Sequence, residues 1–596
     1  MNERRIQSDV SRIQDISVLR IEMALGKKMI VCGIKLTHDA AVAVIEDGRL
    51  RFCVEVEKLN NNKRYSEMGD ISRVAEILAM FGLSTRDIDR YALDGWHGNG
   101  AYWRGEAVLF ERSHGREITL PVASYNEESI KENVLERRYF AGGLPFREEV
   151  YDYASYMHVA GHIMGAYCAS PFAHASEPAY VLSWDGGQYP RLYFVNPAQR
   201  SVINKGRLFC LLGTIYSIMG HYFGPYRRTA EQLAEERAKQ TLEGYFGGYS
   251  IAGKLMSYIA LGAVQAELLA ELPVIYERNF EVGNTFEHRF EKAISERITG
   301  RGYSDADVLL TQHVYLERLL VNSLKAKVKK DGLPPQNFCF TGGSALNIKW
   351  NSAIRSSGIF RATWVPPFPN DSGSAIGTAS CEMLTSGGPT ALEWSVYSGP
   401  LIDAGAPVPG WTERPCDLAE LARMLATEGE PVVFLNGPAE LGPRALGNRS
   451  ILAPATRTEM KEILNRIKKR EDFRPVAPIC LQEHAPQIFD PGTHDPYMLF
   501  DHHVREEWKR RVPAICHLDG TARLQTINAQ ENEVVYRLID EYYRLTGIPL
   551  LCNTSANLNG SGFFPNVESA LRWAGVNYVY CAGTLYEKIA RTGYAT

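Results

Sequence analysis

One pattern constrains the fold of this chain more than any other, because it occurs twice. Residues 29–57, MIVCGIKLTHDAAVAVIEDGRLRFCVEVE, read as an apolar strand, a polar turn and then a β-hairpin folded at Asp47-Gly48. An Asp-Gly pair supplies the positive φ angles that a two-residue hairpin turn needs. Residues 179–207, AYVLSWDGGQYPRLYFVNPAQRSVINKGR, repeat the plan, with polar residues again at the end of the apolar strand. The repetition predicts a duplicated α/β fold with two facing halves, the ends of both first strands pointing into one central cleft. Two unrelated hairpins would leave the same trace. A third element over 337–379 reads strand, glycine turn, helix, strand, loop, helix.

At 596 residues the chain is too long for one hydrophobic core, since cores stop growing near about 250–300 residues. A stretch rich in Gly, Pro and Ser at about 386–410 marks a boundary. The expected organisation is an N-terminal extension over 1–28, a first domain over 29–400 and a second over 401–596. Residues 95–150, with Trp96, Trp103, Phe110, Tyr125 and Tyr139, read as an insertion. It suits either part of an acceptor pocket or a surface excursion with a small core of its own. A net charge of −4 gives no bulk attraction to nucleic acid, so no nucleic-acid partner is expected. No apolar run is long enough for a bilayer and no signal-peptide core opens the chain, so no membrane partner is expected. Eleven cysteines without a CxxC pair fit reduced thiols in the cytoplasm rather than a disulfide framework or zinc ribbon. A homodimer stays open.

The chemistry concentrates in three places. Residues 151–168 read as helical, which puts His158 and His162 one turn apart on one face. That spacing can hold one metal ion, although it is not the HExxH pattern and a lone HxxxH is more often structural. Asp185 ends an apolar strand and Asp371 lies in the loop PNDSG, both where a cleft would form. Two histidines with carboxylates suit Fe(II) better than structural zinc, and zinc or manganese also fits the ligand types. Gly342-Gly343 follows a strand and opens a helix, with Asn347 in its first turns. Backbone N–H groups there can approach a phosphate or a nucleotide, and a plain tight connection reads the same way. In the second domain, Arg444, Arg449, Lys468 and Arg474 fall within 440–481, followed by His517, Arg523, Asn553 and Ser555. The run KEILNRIKKRE reads in part as a solvated helix face. Arg444 and Arg449 sit instead in glycine-rich turns, where guanidinium groups can grip phosphate with two hydrogen bonds. Several of them converging would bind ATP or an acyl phosphate.

The segments THDAAVAV, HVAGH, TGGSALN, PNDSG, GPRALGNRSIL, Lys468–Pro478 and DGTAR occur in this order. Together they resemble the NodU/CmcH O-carbamoyltransferase family, which includes nodulation-factor, cephem, aminoglycoside and ansamycin O-carbamoyltransferases. The resemblance runs from about residue 29 to the C-terminus. It implies a first domain similar to the metal-dependent transferase of threonylcarbamoyl-tRNA synthesis, with an actin/hexokinase-like duplicated fold. It implies a YrdC-like α/β second domain that makes an acyl adenylate. By the same resemblance His158, His162, Asp185 and Asp371 are iron ligands and His38 is the catalytic histidine. Lys63 lies near the adenylate phosphate, and Gly342, Gly343 and Asn347 form the adenylate-binding turn. Arg444, Arg449, Lys468, Arg474, Arg523, Asn553 and Ser555 form the carbamoyl phosphate and ATP site, with Mg²⁺ accompanying ATP. The implied acceptor is a hydroxyl of a small-molecule natural product, a sugar or polyketide. The chain departs from the family at EVEKLNNNKR and at YIALG, where glutamate- and arginine-rich and LAPYG-like stretches are common. Rival readings are a threonylcarbamoyl-type enzyme acting on tRNA, which the lack of net positive charge opposes, and a non-catalytic nucleotide-binding protein of the actin/hexokinase class. Carbamoyl transfer to cysteine in hydrogenase maturation normally comes with zinc-finger cysteine pairs, which this sequence lacks.

Overall fold

The computed structural model describes residues 28–60, 66–96, 106–111, 115–126, 133–146, 149–229, 231–232, 235, 249–282, 286–558, 561–591 and 593. Lys63 lies outside the described residues.

The first half is built on β1 (Ile30–Lys35), β2 (Ala41–Glu46), β3 (Arg49–Glu55), β4 (Arg90–Asp94), a two-stranded hairpin β5 (Glu106–Glu111) and β6 (Arg116–Pro121), β7 (Arg138–Phe146) and β8 (Glu149–Tyr156). Its sheet runs β3-β2-β1-β4-β8-β7, with β1, β4 and β8 parallel and the hairpin strands antiparallel. After its first residue β1 is buried throughout, which is why it reads as an unbroken apolar run. Asp47 and Gly48 turn the hairpin with φ of 47° and 83°. The expected helix over 151–168 is corrected here. Residues 149–156 form strand β8, and helix α1 (His158–Cys168) begins only after it. The aromatic residues of YDYASY suit a strand, and β8 gains partners on both sides from β4 and β7.

The second half repeats the plan with β9 (Ala179–Ser183), β10 (Arg191–Asn196), β11 (Ser201–Arg207), the long helix α2 (Asp305–Asp331), β12 (Asn337–Thr341), α3 (Ile348–Ser356), β13 (Thr363–Trp364) and α4 (Ser374–Thr385). The sheet order is β11-β10-β9-β12-β13, with β9, β12 and β13 parallel. Strand for strand this matches β3-β2-β1-β4-β8, so the twofold repetition read from the hairpins is a property of the fold.

Helix α1 follows β8 and α4 follows β13, so they are equivalent elements of the two halves. They cross in van der Waals contact, because glycines meet at the crossing: a Cβ at Gly377 would lie 1.8 Å from the carbonyl oxygen of Gly161. That contact brings the first turns of α1 next to the turn that starts α4.

Beyond residue 410, eight strands between Trp411 and Lys588 form a third, mixed sheet over its own buried cluster. The parts are not separate bodies. Leu441, Leu446, Ala477 and Met498 join the core between the first two sheets, and Leu499 and Phe500 join the core of the second half. Among the described residues no helix is long and apolar enough to cross a membrane.

Candidate active site

The α1–α4 crossing assembles the four expected metal-ligand residues. His158 and His162 come from α1, Asp185 from the turn after β9, and Asp371 from the single helical turn leading into α4. All four are buried, and one ligand atom from each lies within 4.8 Å of the other three. The Nε2 atoms of His158 and His162 each lie 3.3 Å from Asp371 Oδ1, and neither Nε2 has a hydrogen-bond partner. Buried imidazole nitrogens without partners cost stability unless something else uses them. A cation between them and the two carboxylates satisfies every one of these atoms. The donor set therefore fits a divalent ion.

Residues behind the ligands fix their orientation. Asp94, at the end of β4, bonds His158 Nδ1 at 2.8 Å. This places the ring's proton on Nδ1 and leaves Nε2 for the cluster, as metal-bound histidines require. Burial pushes the His158 imidazole down, but Asp94 and Asp371 outweigh it and raise it to about 9. Asp185 accepts from the Tyr125 hydroxyl at 2.7 Å and from the Gly343 N–H at 2.6 Å. Tyr125 also stacks on His158, with ring centroids 4.6 Å apart. Tyr125, from the stretch read as an insertion, therefore reaches the cluster, whereas Arg138–Phe146 of that stretch is strand β7 of the first sheet. His38 lies beside it, with Nε2 3.0 Å from Asp371 Oδ2 and its ring edge-on to Trp96 at 5.0 Å. Burial holds its proton affinity below the ordinary range. Lys35, Asp94 and Glu440 (below) were not among the expected site residues. For Asp94 the signal was present, since an apolar strand ending in Asp is also the signature of Asp185.

The glycine turn abuts this cluster. Gly342 has φ of 88°, and a Cβ there would lie 2.4 Å from the Trp184 carbonyl. Only glycine lets the turn sit against the loop that carries Asp185. Asn347 caps α3, its side chain accepting from the N–H groups of Lys349 and Trp350. Beyond the turn, α3 forms one wall of a cavity of about 400 Å³ lined by His313 and Glu317 of α2, Gly262, Lys349 and Ser352, with Asp501 and Asp519 closing it.

In the region beyond residue 410, Arg444, Arg474 and Arg523 come together with Arg470, which the sequence had placed on a solvated face. Burial, and then the guanidinium groups of Arg444, Arg474 and Arg470, push the Arg523 guanidinium far below its ordinary range. Arg470 is lowered to about 9 by burial and by Arg474. Arg470 Nη2 and Arg523 Nε are buried without hydrogen-bond partners. Crowded cations with unused donors are what a polyanion would relieve. Asn553 donates to Ala445 O at 3.1 Å and to Gln525 Oε1 at 2.9 Å, and its own Oδ1 has no partner. Two expected ligands do other work. The Arg449 guanidinium donates to the carbonyls of Pro400, Asn436, Gly437 and Asn448 at 2.8–3.1 Å. It is buried beneath the loop, and its donors are directed at backbone rather than at the arginine cluster. Lys468 donates to Ser555 O at 2.6 Å and to Asn557, and so ties down the end of the strand Leu550–Ser555 and the turn that follows it. Glu440 Oε1 collects the N–H groups of Leu446, Asn448 and Arg449 at 2.7, 2.7 and 3.0 Å, which sets the shape of the Arg444 loop.

The two regions touch. Arg444 Nη2 donates to Leu346 O at 3.2 Å, so the arginine cluster is docked on the glycine turn of the first region.

Two family models match the chain in succession. The family model "Carbamoyltransferase N-terminus" matches residues 30–380, and "Carbamoyltransferase C-terminus" matches 422–588. Nodulation protein U of Sinorhizobium fredii (strain NBRC 101917 / NGR234) is 46% identical, covering 95% of this chain and 100% of its own length. The 3'-hydroxymethylcephem-O-carbamoyltransferase of Streptomyces clavuligerus is 32% identical, covering 94% of this chain and 100% of its own.

Proposed function

This chain belongs to the carbamoyltransferase family and is an enzyme that transfers carbamoyl groups, and from that premise we propose that it carbamoylates a hydroxyl of a small-molecule natural product in two stages at two sites. The cephem relative's name states a hydroxymethyl acceptor, which supports a hydroxyl here. A sugar or polyketide hydroxyl is the acceptor class we favour. The observation that carries the two-site reading is the Arg444–Leu346 contact, which sets a crowded arginine cluster against the glycine turn beside the His/Asp cluster.

In the first stage, carbamoyl phosphate and Mg-ATP occupy the arginine site. We read the domain beyond residue 400 as a YrdC-like acyl-adenylate-forming unit. Water cleaves the carbamoyl phosphate to carbamate and phosphate. The carbamate oxygen then attacks the α-phosphorus of ATP, forming the C–O–P link of carbamoyl adenylate and releasing pyrophosphate. Arg444, Arg470, Arg474 and Arg523 neutralise the phosphates, and positioning with charge stabilisation dominates such chemistry. Asn553 would accept from the carbamoyl amide through its Oδ1, a role that the lack of another partner for that oxygen supports.

In the second stage the adenylate lies at the Gly342–Gly343 turn, with its nucleoside in the cavity along α3. His158, His162, Asp185 and Asp371 hold a divalent ion, Fe(II) by preference, with zinc or manganese also compatible. When bound, that ion supplies Lewis-acid polarisation of the donor's carbonyl or phosphoryl oxygen. His38, held by Asp371 and Trp96 and kept neutral by burial, takes the proton from the acceptor hydroxyl as its oxygen attacks the carbamoyl carbon. The C–O bond to AMP breaks, and AMP and the carbamate ester leave.

The test separates the two stages. His38→Ala should release pyrophosphate from carbamoyl phosphate and ATP yet fail to carbamoylate the acceptor. Arg523→Ala should fail at pyrophosphate release yet transfer from supplied carbamoyl adenylate. Equal loss of both stages in both folded variants would refute the two-site reading.

A further inference from the structure

Lys35 is the last residue of β1 and its side chain is 1% exposed. Its Nζ lies 3.0 Å from Asp94 Oδ2, 3.1 Å from Asp371 Oδ2 and 4.1 Å from the centroid of the Trp96 ring. Burying an ammonium is costly unless carboxylates and a compatible face surround it, and here three groups do so. The chemistry above makes no use of it.

Its effect falls on Asp371, whose two oxygens have different neighbours. Oδ1 faces the Nε2 atoms of both histidines at 3.3 Å. Oδ2 faces Lys35 at 3.1 Å and His38 at 3.0 Å. A carboxylate binds a cation through one oxygen or both, and an ammonium at the second oxygen opposes the two-oxygen mode. Charge balance agrees. Asp94, Asp185 and Asp371 bring three negative charges to the cluster, and Lys35 leaves two, which a divalent ion with neutral histidines cancels.

We propose that Lys35 is a positioning residue: its buried ammonium holds Asp371 as a one-oxygen ligand, which keeps a coordination position of the bound ion open for the carbamoyl donor and keeps Asp371 Oδ2 available to His38. This rests on the reading of the His/Asp cluster as a divalent-metal site.

The test uses the full chain with Co(II) as the probe, read by equilibrium dialysis and by visible d–d absorption, which weakens as coordination number rises. Wild type is expected to bind one Co(II) per chain. Lys35→Met is expected to bind one as well, with weaker absorption as Asp371 closes both oxygens on the ion. Its kcat for transfer from supplied carbamoyl adenylate should fall by about tenfold or more, with KM for the acceptor within about threefold. Lys35→Arg, which keeps a cation with donors for both carboxylates, should restore the wild-type spectrum. If Lys35→Met does not fold, the double variant Lys35→Met/Asp94→Asn removes the charge imbalance and should show the same spectral change. A wild-type spectrum with a wild-type rate in Lys35→Met overturns the proposal, and so does a folded Lys35→Met that no longer binds Co(II). Wild type that binds no Co(II) would instead overturn the metal reading.

Discussion

Gly377→Ala is expected to dismantle the His/Asp cluster without touching any residue in it. The added Cβ would lie 1.8 Å from the Gly161 carbonyl oxygen, whereas a carbon–oxygen contact tolerates about 3.3 Å. Helices α1 and α4 must therefore part by about 1.5 Å, and no flexible side chain lies between them to give way instead. Overpacking of this kind costs about 1–3 kcal/mol, and backbone against backbone belongs at the upper end. His158 and His162 ride on α1, while Asp371 rides on the turn into α4. Their 3.3 Å contacts would open well past 4 Å, roughly adding the helix displacement. Loss of ligand placement on that scale should weaken Co(II) or Zn(II) binding by about 100-fold, and transfer from carbamoyl adenylate by about the same factor. The glycines of α1 provide the control. A Cβ at Gly161 meets Thr378 Oγ1 at 3.2 Å, and one at Gly165 meets Gly377 Cα at 3.3 Å, contacts that need only small adjustments. Differential scanning calorimetry and equilibrium dialysis on the three alanine variants should therefore rank Gly377→Ala far below the other two. If Gly161→Ala were as damaging as Gly377→Ala, or if Gly377→Ala kept wild-type metal binding, the helix crossing would not be what aligns the ligands.

Arg449→Met should leave four carbonyls without their donor, those of Pro400 and Asn448 fully buried, and cost about 3 kcal/mol; the folded fraction should keep its KM for carbamoyl phosphate, measured by pyrophosphate release. Arg470→Met should instead leave thermal stability unchanged or higher, because it relieves the crowding around Arg523, while raising that KM by about 10-fold or more. Tyr125→Phe removes one hydrogen bond to Asp185 and should lower metal affinity by about 10-fold, read by dialysis. For Asp519, burial raises the carboxyl, but the hydrogen bond from His517 and the Lys349 ammonium outweigh it and hold it well below the usual range. A depressed carboxylate contributes stability that is present above its unfolded value near about 4 and lost as pH falls below that. Asp519→Asn should accordingly flatten the loss of stability below about pH 4 in denaturant titrations.

The hairpin units were legible because Asp47-Gly48 states its turn chemistry locally and β1 is apolar on both faces. Strand β8 was not legible. Its partners, β4 and β7, lie outside the window in which helical spacing is judged, and the histidine pair on α1 extended the apparent helix backward over YDYASY. The ligand quartet could be read as residue types at cleft-forming ends of elements, but its closure depends on Gly377 meeting Gly161, a contact between residues more than two hundred positions apart. Arg444 and Arg449 look alike in sequence, both in a glycine-rich turn. They part because Arg449 starts a central strand and turns beneath the loop, whereas Arg444 stays in the loop and reaches Leu346. Arg470 was hidden by its lysine neighbours, since a KKR run has the composition of a solvated face.

The junction between the two regions bears on why one chain carries both. Gly442 sits so close to the loop that precedes Asp371 that a Cβ there would lie 2.1 Å from the Pro367 carbonyl. On its other side its N–H donates to Glu55 Oε1 at 2.8 Å, and its carbonyl accepts from Lys58, which also bonds Glu440 O and Glu55. The loop that carries Arg444 is thus clamped between the Asp371 loop and the end of β3, and Glu440 shapes that same loop from within. A displacement on either side is transmitted through packed backbone, with little slack to absorb it. Under the proposed route the intermediate is a labile mixed anhydride, and a fixed junction lets it move between sites without release to bulk water. Lys58→Met tests this apart from either site's chemistry. It removes the ammonium that bridges Glu55 to the Glu440–Gly442 backbone, so pyrophosphate release and transfer from supplied adenylate should each stay within about threefold of wild type. The coupled reaction should then consume more ATP per carbamate ester formed, as intermediate escapes and hydrolyses. A stoichiometry that stays at one ATP per ester in folded Lys58→Met would show that the clamp does not guide the transfer.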